Sequence, residues 1–179
     1  MSLRSRTAGA VLALAVPFAL AAVPAGADPV PDPDPFAWTD LTSTYTATAD
    51  YQYEPFAVTD GYVRTGICDK DGPGGKDGPG GKGGAGYHYV KAAGVGSLDP
   101  AKPAGLLYET DSGGGRALVA AEWIVRAGSG TVPTLFGQEF QGPTTVPGVT
   151  GSVYTLRAWI WKDNPSGLFA QWNPTVTCP

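Results

Sequence analysis

The sequence predicts an α+β domain built on an antiparallel, barrel-like or strongly curved sheet, with one N-terminal helix and one disulfide. Three observations carry this expectation. After residue 86 the apolar residues recur at period two in runs rich in Val, Ile, Leu, Tyr and Trp, the signature of half-buried strands. Clusters of Gly, Pro, Asp and Ser separate those runs, which is turn chemistry. The two cysteines, Cys68 and Cys178, bracket the strand region of a chain whose start reads as an export signal, and an oxidising destination favours their pairing.

Residues 1–27 carry that signal: Arg4 and Arg6, an apolar run from Ala8 to Val23 split by Pro17, and the small residues Ala25, Gly26 and Ala27. The run is short for a retained span and ends as a cleavage site does, so the chain is expected to be secreted, with no membrane span. Without Arg4 and Arg6 the 12 Lys+Arg fall to ten against 16 Asp+Glu, a balance of about −6. That acidity argues against nucleic acid or anionic lipid as a partner, since either needs a basic stripe.

Residues 28–38 alternate proline with acid and read as an extended spacer. Residues 39–179 are expected to form one globular domain. From Thr39 to Gly61 the pattern reads as a helix that Pro55 breaks or kinks, although the Thr-rich start is poor helix material. Residues 69–86 read as a mobile low-complexity loop, because Lys-Asp-Gly-Pro-Gly-Gly occurs twice there, at 70–75 and 76–81, and such a composition buries too little apolar surface to order itself. Asp69, Asp71 and Asp77 invite a calcium reading, against which stands the missing twelve-residue ligand pattern. Strands are expected over 87–91, 105–110, 116–126 and 152–162. A hairpin turn at Ser112 to Gly115 joins the second and third of these. The Cys68–Cys178 bridge closes about 110 residues, worth roughly 4–5 kcal/mol by chain entropy.

Sorting the strands by face places four ionisable groups among apolar neighbours: His88, Glu109, Glu122 and Arg157, the last sharing its face with Trp159 and Trp161. Charges in such places must pair, reach water or serve a site. These four residues with Trp159 form the candidate ligand pocket. His88, Glu109 and Glu122 supply the donor types of a divalent metal site, whereas Arg157 repels a metal and suits a carboxylate ligand; no cofactor is therefore expected. There is no Gly-x-Ser-x-Gly element and neither cysteine reads as free, so no catalytic residue is named. The leading expectation is non-enzymatic binding of a small ligand, anionic if Arg157 meets it, in a sheet pocket. A structural or cell-envelope interaction role comes next, and a metal-dependent enzyme with a small-barrel site third.

The stretch from Trp159 to Cys178, with its turn core Asp163-Asn-Pro-Ser-Gly167, is the most distinctive. On it, and on Gly86-Tyr-His-Tyr-Val90, Leu98-Asp-Pro-Ala-Lys-Pro103 leading to Leu107-Tyr-Glu109, Leu118 to Val125 and Leu135-Phe-Gly-Gln138, the chain resembles a group of uncharacterised exported bacterial proteins. The resemblance implies export and brings no assigned reaction. Its members tend to carry His-Val-Trp at Arg157-Ala158-Trp159, so this chain departs from a two-histidine metal site there, and the glycine-proline repeats look private to it.

Overall fold

The computed structural model describes residues 37–70, 83–128 and 130–178. The signal-like residues 1–27, most of the spacer and the repeats at 71–82 lie outside them.

Helix α1 spans Ala37–Thr48, so it takes up Ala37 and Trp38 from the end of the expected spacer, and a 3-10 turn, Ala49–Gln52, continues it. Its inward residues are Leu41, Thr44 and Thr48, all buried at helical spacing. Threonine is a weak helix former, but here its hydroxyls are occupied. Thr44 Oγ1 donates to Pro100 O at 2.8 Å, and Thr48 Oγ1 donates to Thr44 O and accepts from Trp161 Nε1. Tertiary hydrogen bonds thus offset poor propensity. The expected break falls at Tyr53, which is extended, and Pro55 enters the first turn of α2, Glu54–Thr59, where a missing N–H costs nothing.

Among the described residues eight strands follow: β1 Val63–Lys70, β2 Gly84–Val90, β3 Gly105–Thr110, β4 Arg116–Arg126, β5 Thr134–Leu135, β6 Gln138–Glu139, β7 Gln141–Thr144 and β8 Val153–Ala158. Six form one antiparallel sheet in the order β1-β2-β3-β4-β8-β7, curled into a half-barrel; β5 and β6 make a separate small hairpin. The expected turn between β3 and β4 is closed by Asp111, whose Oδ1 accepts from the N–H groups of Gly113 and Gly115 at 2.8 Å.

The sheet is covered on both faces. Leu41, Ala57 and Tyr62 of the helical segment pack on Ala121, Trp123, Leu156, Tyr89, Leu106 and Tyr108. On the opposite face Trp159 and Val176 cover Leu107, Val119 and Ala120, and Val146 covers Val90, Ile124 and Val153. Among the described residues no helix is long and apolar enough to cross a membrane.

Three boundaries differ from expectation. Asp69 and Lys70 are strand residues, paired with Gly86 and Gly84, so the expected loop over 69–86 gives up both ends. The glycines there serve the strand: Gly86 has φ +91°, and a Cβ on it would lie 2.4 Å from Tyr108 O. Strand β8 ends at Ala158, and residues 159–162 leave the sheet. Trp159 stays on the face of Leu107, while Trp161 crosses to pack with Tyr89 and Tyr108.

From Trp159 onward the chain is a strap laid over the sheet. Two buried asparagines pin it: Asn164 Nδ2 donates to Trp172 O at 3.1 Å and Asn173 Nδ2 to Asp163 O at 3.0 Å. Gly84 and Asn173 exchange both backbone hydrogen bonds. The Cys68–Cys178 disulfide, with Cα atoms 5.6 Å apart, ties its end to β1.

Candidate functional site

Of the five candidate pocket residues, the fold gathers three. Glu122 on β4 pairs with Gly105 on β3 and with Arg157 on β8, and His88 on β2 pairs with Leu107 two positions along β3. Directly paired residues share a face, so all three point to the strap side of the sheet. His88 and Glu122 must reach across β3 to meet, and Gly105 leaves the gap: a Cβ there would sit 3.0 Å from Glu122 Oε2.

The contacts are close. Arg157 Nε donates to Glu122 Oε1 at 2.8 Å. His88 Nδ1 lies 3.1 Å from Glu122 Oε2. On its other side His88 Nε2 lies 3.3 Å from Asp69 Oδ2, which also sits 3.5 Å from Arg157 Nη2. Both imidazole contacts are too poorly aligned to count as hydrogen bonds, and we treat them as ion pairs. The strap closes the group: Arg157 Nη1 donates to Gln171 O, and the Trp172 ring centroid lies 5.1 Å from the guanidinium carbon. His88 and Glu122 are fully buried and Arg157 is 3 % exposed.

Two carboxylates, one guanidinium and a protonated imidazole sum to zero, and the electrostatics favour that state. Burial is the largest influence on His88 and would push its pKa down. The Glu122 charge and the contacts with Asp69 and Glu122 outweigh burial, and also outweigh repulsion from Arg157, so the pKa is raised above its ordinary 6.5. For Glu122 burial again acts first and upward, but His88 and Arg157 hold the carboxyl down at about 2. The pH dependence follows. Stability from His88 is complete below about pH 6.5 and is lost as pH rises through its raised folded value; that from Glu122 is complete above about 4.5 and is lost as pH falls toward 2. These two groups therefore place maximal stability between pH 4.5 and 6.5, with a decline on the alkaline side. Denaturant midpoints measured across pH 4–10 check this.

The other two candidates stand apart. Glu109 lies four positions beyond Gly105 on β3, roughly 13 Å along the strand, and both its oxygens are 2.6 Å from Lys162 Nζ of the strap. Trp159, one residue past β8, donates its Nε1–H to Ala170 O at 2.7 Å. Asp69 is the member that the sequence does not reveal: its spacing with Asp71 and Asp77 suggests only a calcium ligand, and those two lie outside the described residues. Among the described residues no group of three or more His, Cys, Asp and Glu is placed to hold a metal ion.

The cluster is buried except at Asp69, whose side chain reaches solvent, and Trp159 also lines an open cleft between α1 and the strap. It holds about 390 Å³ and is walled by Leu41, Tyr45, Trp159, Ile160 and Leu168, with Thr42 and Asp163 at its polar edge. Tyr45 stacks on Trp161 at 4.2 Å between centroids and stays half exposed. No protein-family model, curated protein or solved structure matches this chain.

Proposed function

We propose that this chain is an exported, non-enzymatic binding domain that takes a small, largely apolar ligand in the cleft between α1 and the strap. The carrying observation is the division of labour between two separate places. His88, Glu122 and Arg157, the groups suited to proton transfer or anion capture, are spent on one another and on Asp69 and the strap. The open cleft between α1 and the strap is walled mainly by apolar side chains, and about 390 Å³ suits a small ligand. An anionic ligand finds little here, because Arg157 is buried and fully engaged. The exposed Asp163 carboxylate has no partner among the described residues and favours a ligand carrying a donor or a positive charge. The disulfide supports an oxidising destination.

A second reading, an interaction role, draws on the exposed Tyr53, Phe56, Val63 and Ile67 around α2 and the edge strand β1. One experiment separates the two. In a fragment screen of ring-bearing amines and alcohols followed by amide chemical shifts, hits should perturb Leu41, Tyr45, Trp159, Ile160 and Leu168. Leu168→Trp should fill the cleft and weaken them by at least about tenfold without loss of fold. Asp163→Asn should weaken the amines more than the alcohols. Hits that map to α2 and β1, or none at all, would count against the cleft.

A further inference from the structure

The geometry points to a second binding site, independent of the cleft and specific for a neutral saccharide, on the strap around Trp172. The first observation is an indole without an acceptor. Trp123, Trp159 and Trp161 each donate Nε1–H, to Asp99 O at 2.9 Å, Ala170 O at 2.7 Å and Thr48 Oγ1 at 3.0 Å. Among the four tryptophans whose side chains are described, Trp172 alone has no acceptor among the described residues. Trp172 is partly exposed and its N–H is not one of the sealed polar atoms, so that donor is open to a ligand.

The second observation is what surrounds it. Trp172 lines a depression of about 320 Å³ together with Gln141 at the start of β7, Ser166, Ala170 and Gln171. The two side-chain amides and the Ser166 hydroxyl likewise have no partner among the described residues. Each amide offers two donors and one acceptor oxygen, and the hydroxyl both donates and accepts. No ionised side chain lines the depression. An indole flanked by uncharged donors and acceptors suits a pyranose ring, which presents C–H groups to an aromatic side chain and hydroxyls around its rim. It does not match a charged ligand.

The third observation is rigidity. Gln171 O is held by Arg157, Trp172 O by Asn164, and the next residue, Asn173, is bridged to Gly84. The Arg157 guanidinium, fixed by Glu122, lies over the indole. The backbone that carries the site is therefore held in advance, and a ligand has only its side chains to order. The charge cluster acquires a use in this arrangement, since it seats the residues that carry the site.

The test is titration of the full domain with neutral oligosaccharides of glucose, xylose and N-acetylglucosamine, read by the Trp172 indole N–H resonance. At least one series should shift that resonance and the Gln141 and Gln171 side-chain amides. Trp172→Ala should weaken binding by at least about tenfold, through loss of the stacked ring and one hydrogen bond. Gln141→Ala and Gln171→Ala, both partly exposed and truncated only in their side chains, should each weaken it several-fold and keep the fold if Trp172→Ala does not. Leu168→Trp should leave it unchanged, which separates this site from the cleft. Sedimentation with the matching insoluble polysaccharides distinguishes a polymer from a free sugar as the source. Absence of any shift at Trp172 at about 10 mM oligosaccharide, or binding indifferent to the Gln141 and Gln171 changes, would overturn the assignment.

Discussion

Replacing Arg157 by methionine is expected to lower the unfolding free energy by about 3–5 kcal/mol, the usual cost of leaving a buried charge without its partner. Glu122 is fully buried and would keep only His88 as a counter-charge, while Asp69 would lose one of its two. Glu122→Gln should cost a similar amount, because it leaves His88 and Arg157 facing one another across a neutral amide. Both changes together should cost much less than their sum. Denaturant midpoints at about pH 6, where both groups contribute in full, give the double-mutant cycle. The same cycle on Glu109 and Lys162, whose side chains reach solvent, should show coupling of only about 0–1 kcal/mol. Two single changes at Glu122 and Arg157 that are nearly neutral and additive would mean that the cluster is not a closed unit.

Removing the disulfide is expected to be as costly. Closing a loop of 110 residues is worth roughly 4–5 kcal/mol in the chain-entropy model, which corresponds to a fall in Tm of roughly 10–20 °C for a domain of this size. The loss should also be local. Cys178 ends the strap, and Cys68 adjoins Asp69 at the open side of the charge cluster. In the Cys68→Ser, Cys178→Ser variant, amide exchange should therefore speed up first at residues 171–178 and at the end of β1, ahead of β3 and β4. A drop of Tm below about two degrees, or uniform loss of protection, would show that the strap is held by Asn164, Asn173 and Val176 alone.

The parts of this fold legible in the sequence are those whose neighbours lie close along the chain. Period-two alternation located β2, β3, β4 and β8, the Asp111 turn joined the middle pair, and Pro55 marked the helix break, because each signal is local. The edge strands escaped notice. β1 carries Gly66 at φ +71° and exposes Val63 and Ile67, while β7 is four residues with Pro143 among them; neither buries a face that would enforce alternation. The site was half legible for the same reason. Alternation sets His88, Glu122 and Arg157 each among apolar neighbours on its own strand, but it does not show that register brings them to one face or that Gly105 opens a gap across β3 for two of them to meet. Nor did it show that Asp69, sitting in what read as a glycine-proline loop, is the fourth member. The alternating pattern runs smoothly past Ala158 and so sets Trp159 and Trp161 on one face; the chain leaves the sheet there, and Asn164 and Asn173, whose roles depend on distant carbonyls, decide where it goes.

The ionisation state of His88 is the most direct measure of whether the cluster is closed and charge-balanced. It is the chain's single histidine, so nitrogen resonances of a ring-labelled sample need no assignment. The midpoint of its titration is expected to lie above the ordinary histidine value of about 6.5, as burial between two carboxylates requires, and passage through it should be accompanied by loosening of the strap. A ring that titrates at or below about 6.5 would contradict a buried imidazolium held between Glu122 and Asp69.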